Sequence, residues 1–406
     1  MLAAGRDGEP EAGYRLAARG ESVAGTFASV LDRSRVEPDD TFVSLGGDSL
    51  SYVECSIRLE SVLGRLPSDW HLRSVDDLSD LAAAASGPKR WFRRLDTTVV
   101  LRALGICLIV STHMRVRHLP GGAHTLLAVA GFNLARFMTP LESPVDRVRA
   151  GLRTAGRAAI PTMMWVGAAM LFFGSYSVGT LLLVNNYVGP SSHTDDHWHF
   201  WFIEVFVHLV VIASLLSALP FVRRLDLRFA YLLPLAVLGA TLVLRTADLG
   251  DWYNVRFRTH SVAFFFVLGW LIQRSTTWPQ RIVTSAAAVA SLLGYFNVTS
   301  REWRIIVLLL VLVWVREMPV PRWSVNVIGA IATASMWIYV SHFAIWPVYR
   351  SVFIREVAYV LTLASGVAVW FVADRLLGLL NTWRQGASRH ETTLSPHLRP
   401  TLRGTT

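Results

Sequence analysis

From residue 97 onward the chain runs as ten apolar stretches separated by short polar breaks: 97–114, 123–139, 158–174, 200–220, 229–245, 260–274, 281–297, 303–317, 326–349 and 357–380. Charged residues make up only 17% of the 406, well under the quarter usual for soluble domains, so water is not the expected solvent for this part. In lipid, each backbone N–H and C=O must be satisfied within the protein, which leaves helices or a closed barrel. The stretches read as helices, although several fall short of the ~20 residues needed to cross, so their boundaries are loose. The expected fold class is therefore all-α. The Thr180–Val188 stretch reads as an extra re-entrant piece.

Charge divides the chain differently. Residues 1–88 hold 15 Asp/Glu against 8 Lys/Arg, and residues 89–406 hold 14 against 31, so an acidic module precedes a basic apolar one. The positive residues are spread between apolar stretches rather than gathered on a patch, which argues against nucleic-acid binding. Cys55 and Cys107, one in each part, cannot build a disulfide framework or a zinc cluster. The His193, Asp195, Asp196, His197, His199 group lacks ordered ligand spacing, so no metal is expected.

Residues 23–84 read as a small helical bundle. Phe27, Val30 and Leu31 share one face of a first helix; Leu50, Val53 and Ile57 share one face of a second; Val75–Leu81 closes the unit. Between the first two helices lies Phe42-Val-Ser-Leu45-Gly46-Gly47-Asp48-Ser49-Leu50. Gly46 and Gly47 permit a tight turn, and that turn sets Ser49 at a helix N-terminus, where free N–H groups and the dipole favour a phosphate. This stretch resembles the phosphopantetheine site of carrier proteins, with Ser49 as the attachment residue and Gly47, Asp48 and Leu50 around it. The resemblance implies covalent 4'-phosphopantetheine, a phosphopantetheinyl transferase, and an acyl- or aminoacyl-activating ligase acting in trans.

The expected organisation is a disordered segment (1–22), the carrier domain (23–84), a basic juxtamembrane linker (85–95), a membrane domain (96–385) and a disordered tail (386–406). The opening residues are polar and carry both signs of charge, unlike a signal peptide, so the bundle is expected in the cytoplasm. With that start, alternate loops on the inner side collect seventeen Lys/Arg against nine outside, and the C-terminus also returns to the cytoplasm. The expected location is the cell membrane, multi-pass.

Ionisable residues within apolar stretches are functional candidates. Arg102 and His113 lie in the first stretch, Glu204 in the fourth, and His342 in the ninth. Arg102-x10-His113, the Trp201-Phe-Ile-Glu204 run and Ser335-x3-Tyr339-x2-His342 resemble the integral-membrane acyltransferase-3 family, which includes polysaccharide acetylases. The resemblance implies acyl transfer to a hydroxyl, with His113 as base and Arg102 as its paired arginine; Glu204 or His342 would orient the base or the acceptor. One departure stands in the basic loop, where Arg153 and Arg157 are spaced and Ala158 and Ala159 precede Pro161. The residues themselves leave structural roles open: a helix-end His113, a snorkelling Arg102, a Glu204 or His342 that only fills a buried hydrogen bond.

The two resemblances together imply an O-acyltransferase that moves an acyl or aminoacyl group from Ser49-bound phosphopantetheine to a hydroxyl of a glycan, lipid or secondary metabolite. The alternatives are an acyltransferase fed by free acyl-CoA, with the carrier regulatory, and a carrier-coupled exporter.

Overall fold

The computed structural model describes residues 22–64, 66–84, 91–190, 196–248 and 257–394, with Ser49, Leu50, Ala84 and 377–394 described by backbone alone. Of the expected disordered segment 1–22, residues 1–21 lie outside the described residues, as do the stretch 85–90 and residues 395–406, while Ser22 is placed at the start of the first helix. Among the described residues the chain is all-α apart from one short ribbon.

The N-terminal bundle consists of α1 (Val23–Leu31), α2 (Ser49–Leu63) and α3 (Val75–Ala84). Ser22 caps α1 by accepting from the Gly25 amide. Phe27, Phe42, Tyr52 and Trp70 are all but fully buried and pack edge-on or stacked, with Tyr52 and Trp70 centroids 4.9 Å apart. Rings of this size supply most of the burial that so small a bundle can obtain.

Residues 92–95, expected within the linker, and Asp96, expected to open the membrane domain, form strand β1 (Phe92–Asp96). It pairs antiparallel with β2 (Glu317–Pro321), in the register Arg94 opposite Pro319. Its last residue, Asp96, caps α4 (Thr97–His113) by accepting from the Thr98 amide. Then follow α5 (Gly122–Met138), α6 (Pro144–Phe173), the single turns α7 (Val178–Leu181) and α8 (Asn185–Val188), and α9 (Trp201–Ala218). The two turns occupy the stretch read as re-entrant. The remainder is α10 (Pro220–Arg228), α11 (Leu232–Leu244), α12 (Thr259–Arg274), α13 (Trp278–Leu292), α14 (Thr299–Trp314), α15 (Val325–Thr333), α16 (Ser335–Arg350) and α17 (Arg355–Leu394).

Every expected apolar stretch falls on a helix, but lengths and breaks differ. Among the described residues three helices, α6, α9 and α17, are long and apolar enough to cross a membrane, or five spans if the bent pairs α10–α11 and α15–α16 each count as one. The third stretch starts earlier than expected: Ser143 caps α6, Pro144 stands in its first turn, and the basic loop is helical throughout. Pro161 inside α6 has no amide to offer the Arg157 carbonyl, which loosens the helix there. The ninth stretch bends by 73° between α15 and α16, and α17 continues as helix past residue 385 to Leu394. The far half of α6 presents Ile160, Met164, Leu171, Phe172 and Phe173 outward, an exposed apolar surface compatible with lipid.

Five helices close a ring: α4 packs on α5 and α16, α6 on α9 and α16, and α9 on α5. Outside it, α12 lies hard against α5, where a Cβ on Gly131 or Gly269 would strike the other helix's backbone. The N-terminal bundle docks on one end of the ring. Phe137 of α5 enters the bundle's aromatic core, with ring centroids 5.7 Å from Phe42 and 5.4 Å from Tyr52. Ile57 of α2 fills the space left by Gly329 on α15.

Candidate functional site

The turn before α2 is shaped by two glycines. Gly46 sits at φ +81°, a conformation that favours glycine, and a Cβ on Gly47 would collide with the Phe42 ring. Asp48 then caps α2: its Oδ1 accepts from the Ser51 amide at 3.0 Å and the Ser51 hydroxyl at 2.9 Å. Ser49 therefore opens α2, as expected; its side chain and that of Leu50 lie outside the described residues.

Four arginines converge on this turn. Arg157 pairs with Asp48 Oδ1 at 2.8 Å, and Arg153 donates to the Gly46 carbonyl at 3.1 Å. Arg33 donates to the Leu45 carbonyl, and Arg102 lies within electrostatic reach of Asp48. Arg153 and Arg157 are the spaced arginines of the basic segment. Their i,i+4 spacing puts them on one face of α6, a signal present in the sequence, but that the face meets the bundle's turn was not readable there. The donor set suits a phosphate ester on Ser49, because guanidinium N–H groups match phosphate oxygens in geometry and charge.

A second set of contacts fixes the docked bundle. Asp96 Oδ2 accepts from the Tyr52 hydroxyl at 3.0 Å and pairs with Arg136 of α5 at 2.9 Å, and the Arg136 guanidinium lies 4.9 Å from the Tyr52 ring centroid. One carboxylate thus joins the bundle, the ribbon and the ring. Below it, Glu60 lies beside Arg93 at 3.7 Å; burial raises its carboxyl to about 7, while Arg93 opposes the rise and Glu317 adds to it. His71, buried against Phe137, is held down to about 3, chiefly by burial and also by Arg136.

At the other end of α4, His113 meets His342. Nδ1 of His113 lies 2.8 Å from Nε2 of His342, and the rings stack at 7°. His342 is fully buried, and its Nδ1 lies 2.6 Å from the Tyr339 carbonyl. A carbonyl only accepts, so His342 carries its proton on Nδ1 and presents a bare Nε2. His113 must then donate from Nδ1, which leaves its own Nε2 as a proton acceptor. The chain of bonds sets the tautomer of the first-helix imidazole. Phe343 packs on both rings and stacks on His199 at 3.7 Å. His199 in turn lies 3.2 Å from Asp196 and 3.2 Å from the Tyr176 hydroxyl, and its carbonyl accepts from Tyr339. His199 and Asp196 stood in the polar loop group with no assigned role. Proximity to His113 depends on how the loop folds back, which spacing does not reveal. His193 and Asp195 of that group lie outside the described residues.

The other two candidates stand apart from the imidazoles. Arg102 donates to the Ser335 hydroxyl at 3.0 Å, so the bend between α15 and α16 sets Ser335 against it near the docked turn. Glu204 is buried and accepts from the Asn186 amide at 2.6 Å and its side-chain N–H at 2.9 Å, holding α8 on α9.

A family model described as a phosphopantetheine attachment site matches residues 21–84. This first domain is a carrier domain; it takes 4'-phosphopantetheine covalently on a serine, and its use requires a phosphopantetheinyl transferase and acyl-loading enzymes. No curated protein and no solved structure matches the chain.

Proposed function

We propose that the chain is a multi-pass membrane O-acyltransferase of the acyltransferase-3 type, supplied with donor by its own carrier domain. In this reading the ten apolar segments embed the ring in lipid, with both termini and the carrier in the cytoplasm. The observation that carries it is the His342–His113 relay, which leaves an unprotonated Nε2 on α4, at the other end of the helix ring from the docked attachment turn. His113 lies eleven residues beyond Arg102, roughly 16 Å along α4 at 1.5 Å per residue.

The prosthetic group, when loaded, supplies an acyl carbon activated as a thioester. Arg33, Arg153, Arg157 and Arg102, the four arginines at the turn, would hold its phosphate end. His113 Nε2 takes the proton from the acceptor hydroxyl as the oxygen bonds to the acyl carbon and the C–S bond breaks, then returns that proton to the leaving sulfur. His342 accepts the His113 Nδ1–H and keeps the ring oriented, the part a third group plays in a nucleophile–base–orienter set. Covalent joining raises the local donor concentration without any new contact. Glu204, bonded to Asn186, serves in this scheme to shape the ring rather than to move protons.

The test uses full-length protein with an acetyl thioester on Ser49, incubated with membranes of the producing cell, with acetyl loss followed by intact mass. Parent protein discharges and His113→Ala retains the acetyl group; equal discharge by both would refute the assignment. Ser49→Ala protein given acetyl-CoA distinguishes a carrier-fed enzyme from one that uses free donor.

A further inference from the structure

Beneath the docked turn lies a cavity of about 560 Å³, within the size range of small-molecule sites. Its roof is Gly46, Gly47 and Asp48, with Arg33 and Arg153 beside them. Glu142, Asp146 and Arg149 stand at the rim. Its walls belong to the ring and are apolar: Ala130, Leu134 and Phe137 on α5, and Phe206 and Val210 on α9. The cavity is therefore polar where the carrier's attachment loop meets it and apolar where α5 and α9 line it.

We propose that this cavity is the receiving chamber for the prosthetic arm on Ser49, with Arg33 and Arg153 pairing the arm's phosphate and Leu134, Phe206 and Val210 contacting its acyl end. Three features of the chamber commit it to that occupant. Gly46, Gly47 and Asp48, the residues that immediately precede Ser49, line it, so an arm attached to the next residue starts beside the cavity. Arg33 and Arg153 each spend only some of their five N–H donors on the Leu45 and Gly46 carbonyls, so both retain donors for a phosphate. The walls offer no charged group at Ala130, Leu134, Phe206 or Val210, which suits a short uncharged acyl chain and disfavours a charged one.

The inference rests on the carrier-fed reading above, but its test does not require acyl transfer. A phosphopantetheinyl transferase loads full-length protein with an arm from a coenzyme A analogue that ends in a diazirine, releasing adenosine 3',5'-bisphosphate. On irradiation the diazirine loses nitrogen and inserts into the nearest C–H bond, and peptide mass spectrometry locates the adduct. Adducts are expected on α5 and α9 at Ala130, Leu134, Phe206 or Val210. Leu134→Trp and Val210→Trp, which fill the space, should each cut those adducts at least tenfold while Ser49 is still loaded in full. Adducts confined to the carrier, to lipid or to detergent overturn the proposal, as does an unchanged pattern in both Trp variants. So does equal labelling of Ser49→Ala protein by the free analogue, which would make the chamber a site for untethered donor. Chamber adducts in a protein that never discharges an acetyl group would leave this proposal standing and sink the enzymatic one.

Discussion

His113 Nδ1 and His342 Nε2 are 2.8 Å apart, and the Tyr339 carbonyl on the far side of His342 decides which ring owns the shared proton. The buried partner is thereby a fixed acceptor, and the His113 tautomer follows from a backbone group on another helix.

Removing either ring should slow acyl discharge to different extents. His113→Ala removes the base and should cost about 10²–10⁴-fold in rate, the usual range for a positioned general base. His342→Ala keeps the base but frees its tautomer and should cost less. Because the two act as one unit, the double variant should be no slower than His113→Ala alone. Single-turnover discharge of acetyl-loaded protein measures all three, and additive losses would show that the rings act separately.

The Asp96 contacts make a second, energetic prediction. Asp96→Ala leaves Arg136 buried without its carboxylate, a loss of about 3–5 kcal/mol, whereas Tyr52→Phe removes one hydrogen bond worth about 1 kcal/mol. Hydrogen exchange in α2 reads this directly: protection should fall far more in the aspartate variant. Similar exchange in both would mean that the docked bundle is held by its aromatic core alone.

The carrier domain was legible because its signals are local: Phe42, the Gly46-Gly47 pair, Asp48 and three short amphipathic helices lie within some sixty residues. Docking was not legible, since Tyr52, Asp96 and Arg136 belong to three separate segments and nothing in their spacing joins them. The bend before Ser335 is similarly silent in sequence. No Pro or Gly marks Thr333-Ala334-Ser335, and 326–349 reads as one apolar run. The start of α6 was written in Ser143-Pro144, but apolar periodicity drew the boundary at 158, after the arginines that the helix carries. His113 and His342 were found by cost, as imidazoles within apolar stretches. Their pairing needed the ring to close.

Two buried groups in the carrier give opposite pH dependences. Glu60 is raised to about 7 from 4.5, so its contribution to stability is full below about pH 4.5 and is lost as pH rises through 7. His71 is lowered to about 3 from 6.5, so its contribution is full above 6.5 and is lost as pH falls toward 3. Glu60→Gln removes the first effect. Relative to parent, it should gain up to about 3 kcal/mol between pH 4.5 and pH 8. Thermal unfolding at the two pH values provides the comparison, and an equal offset at both would show that Glu60 does not titrate there.

The Arg157–Asp48 pair bears on how the carrier becomes charged with its prosthetic group. Asp48 is 5% exposed in the docked state and stands next to the serine to be modified, so a transferase the size of a protein domain cannot approach without undocking the bundle. Arg157→Ala removes the partner of a nearly buried carboxylate and weakens docking, and each 1.4 kcal/mol of weakening raises the undocked fraction about tenfold. Phosphopantetheinylation of the apo full-length protein should therefore run about tenfold faster in Arg157→Ala, with Arg157→Lys in between. Added salt should quicken the parent more than the alanine variant, because Arg157 is partly exposed and its pair is screened. Equal modification rates across the three proteins would mean that the turn is reached while docked, and the guarding role assigned to Arg157 would fall.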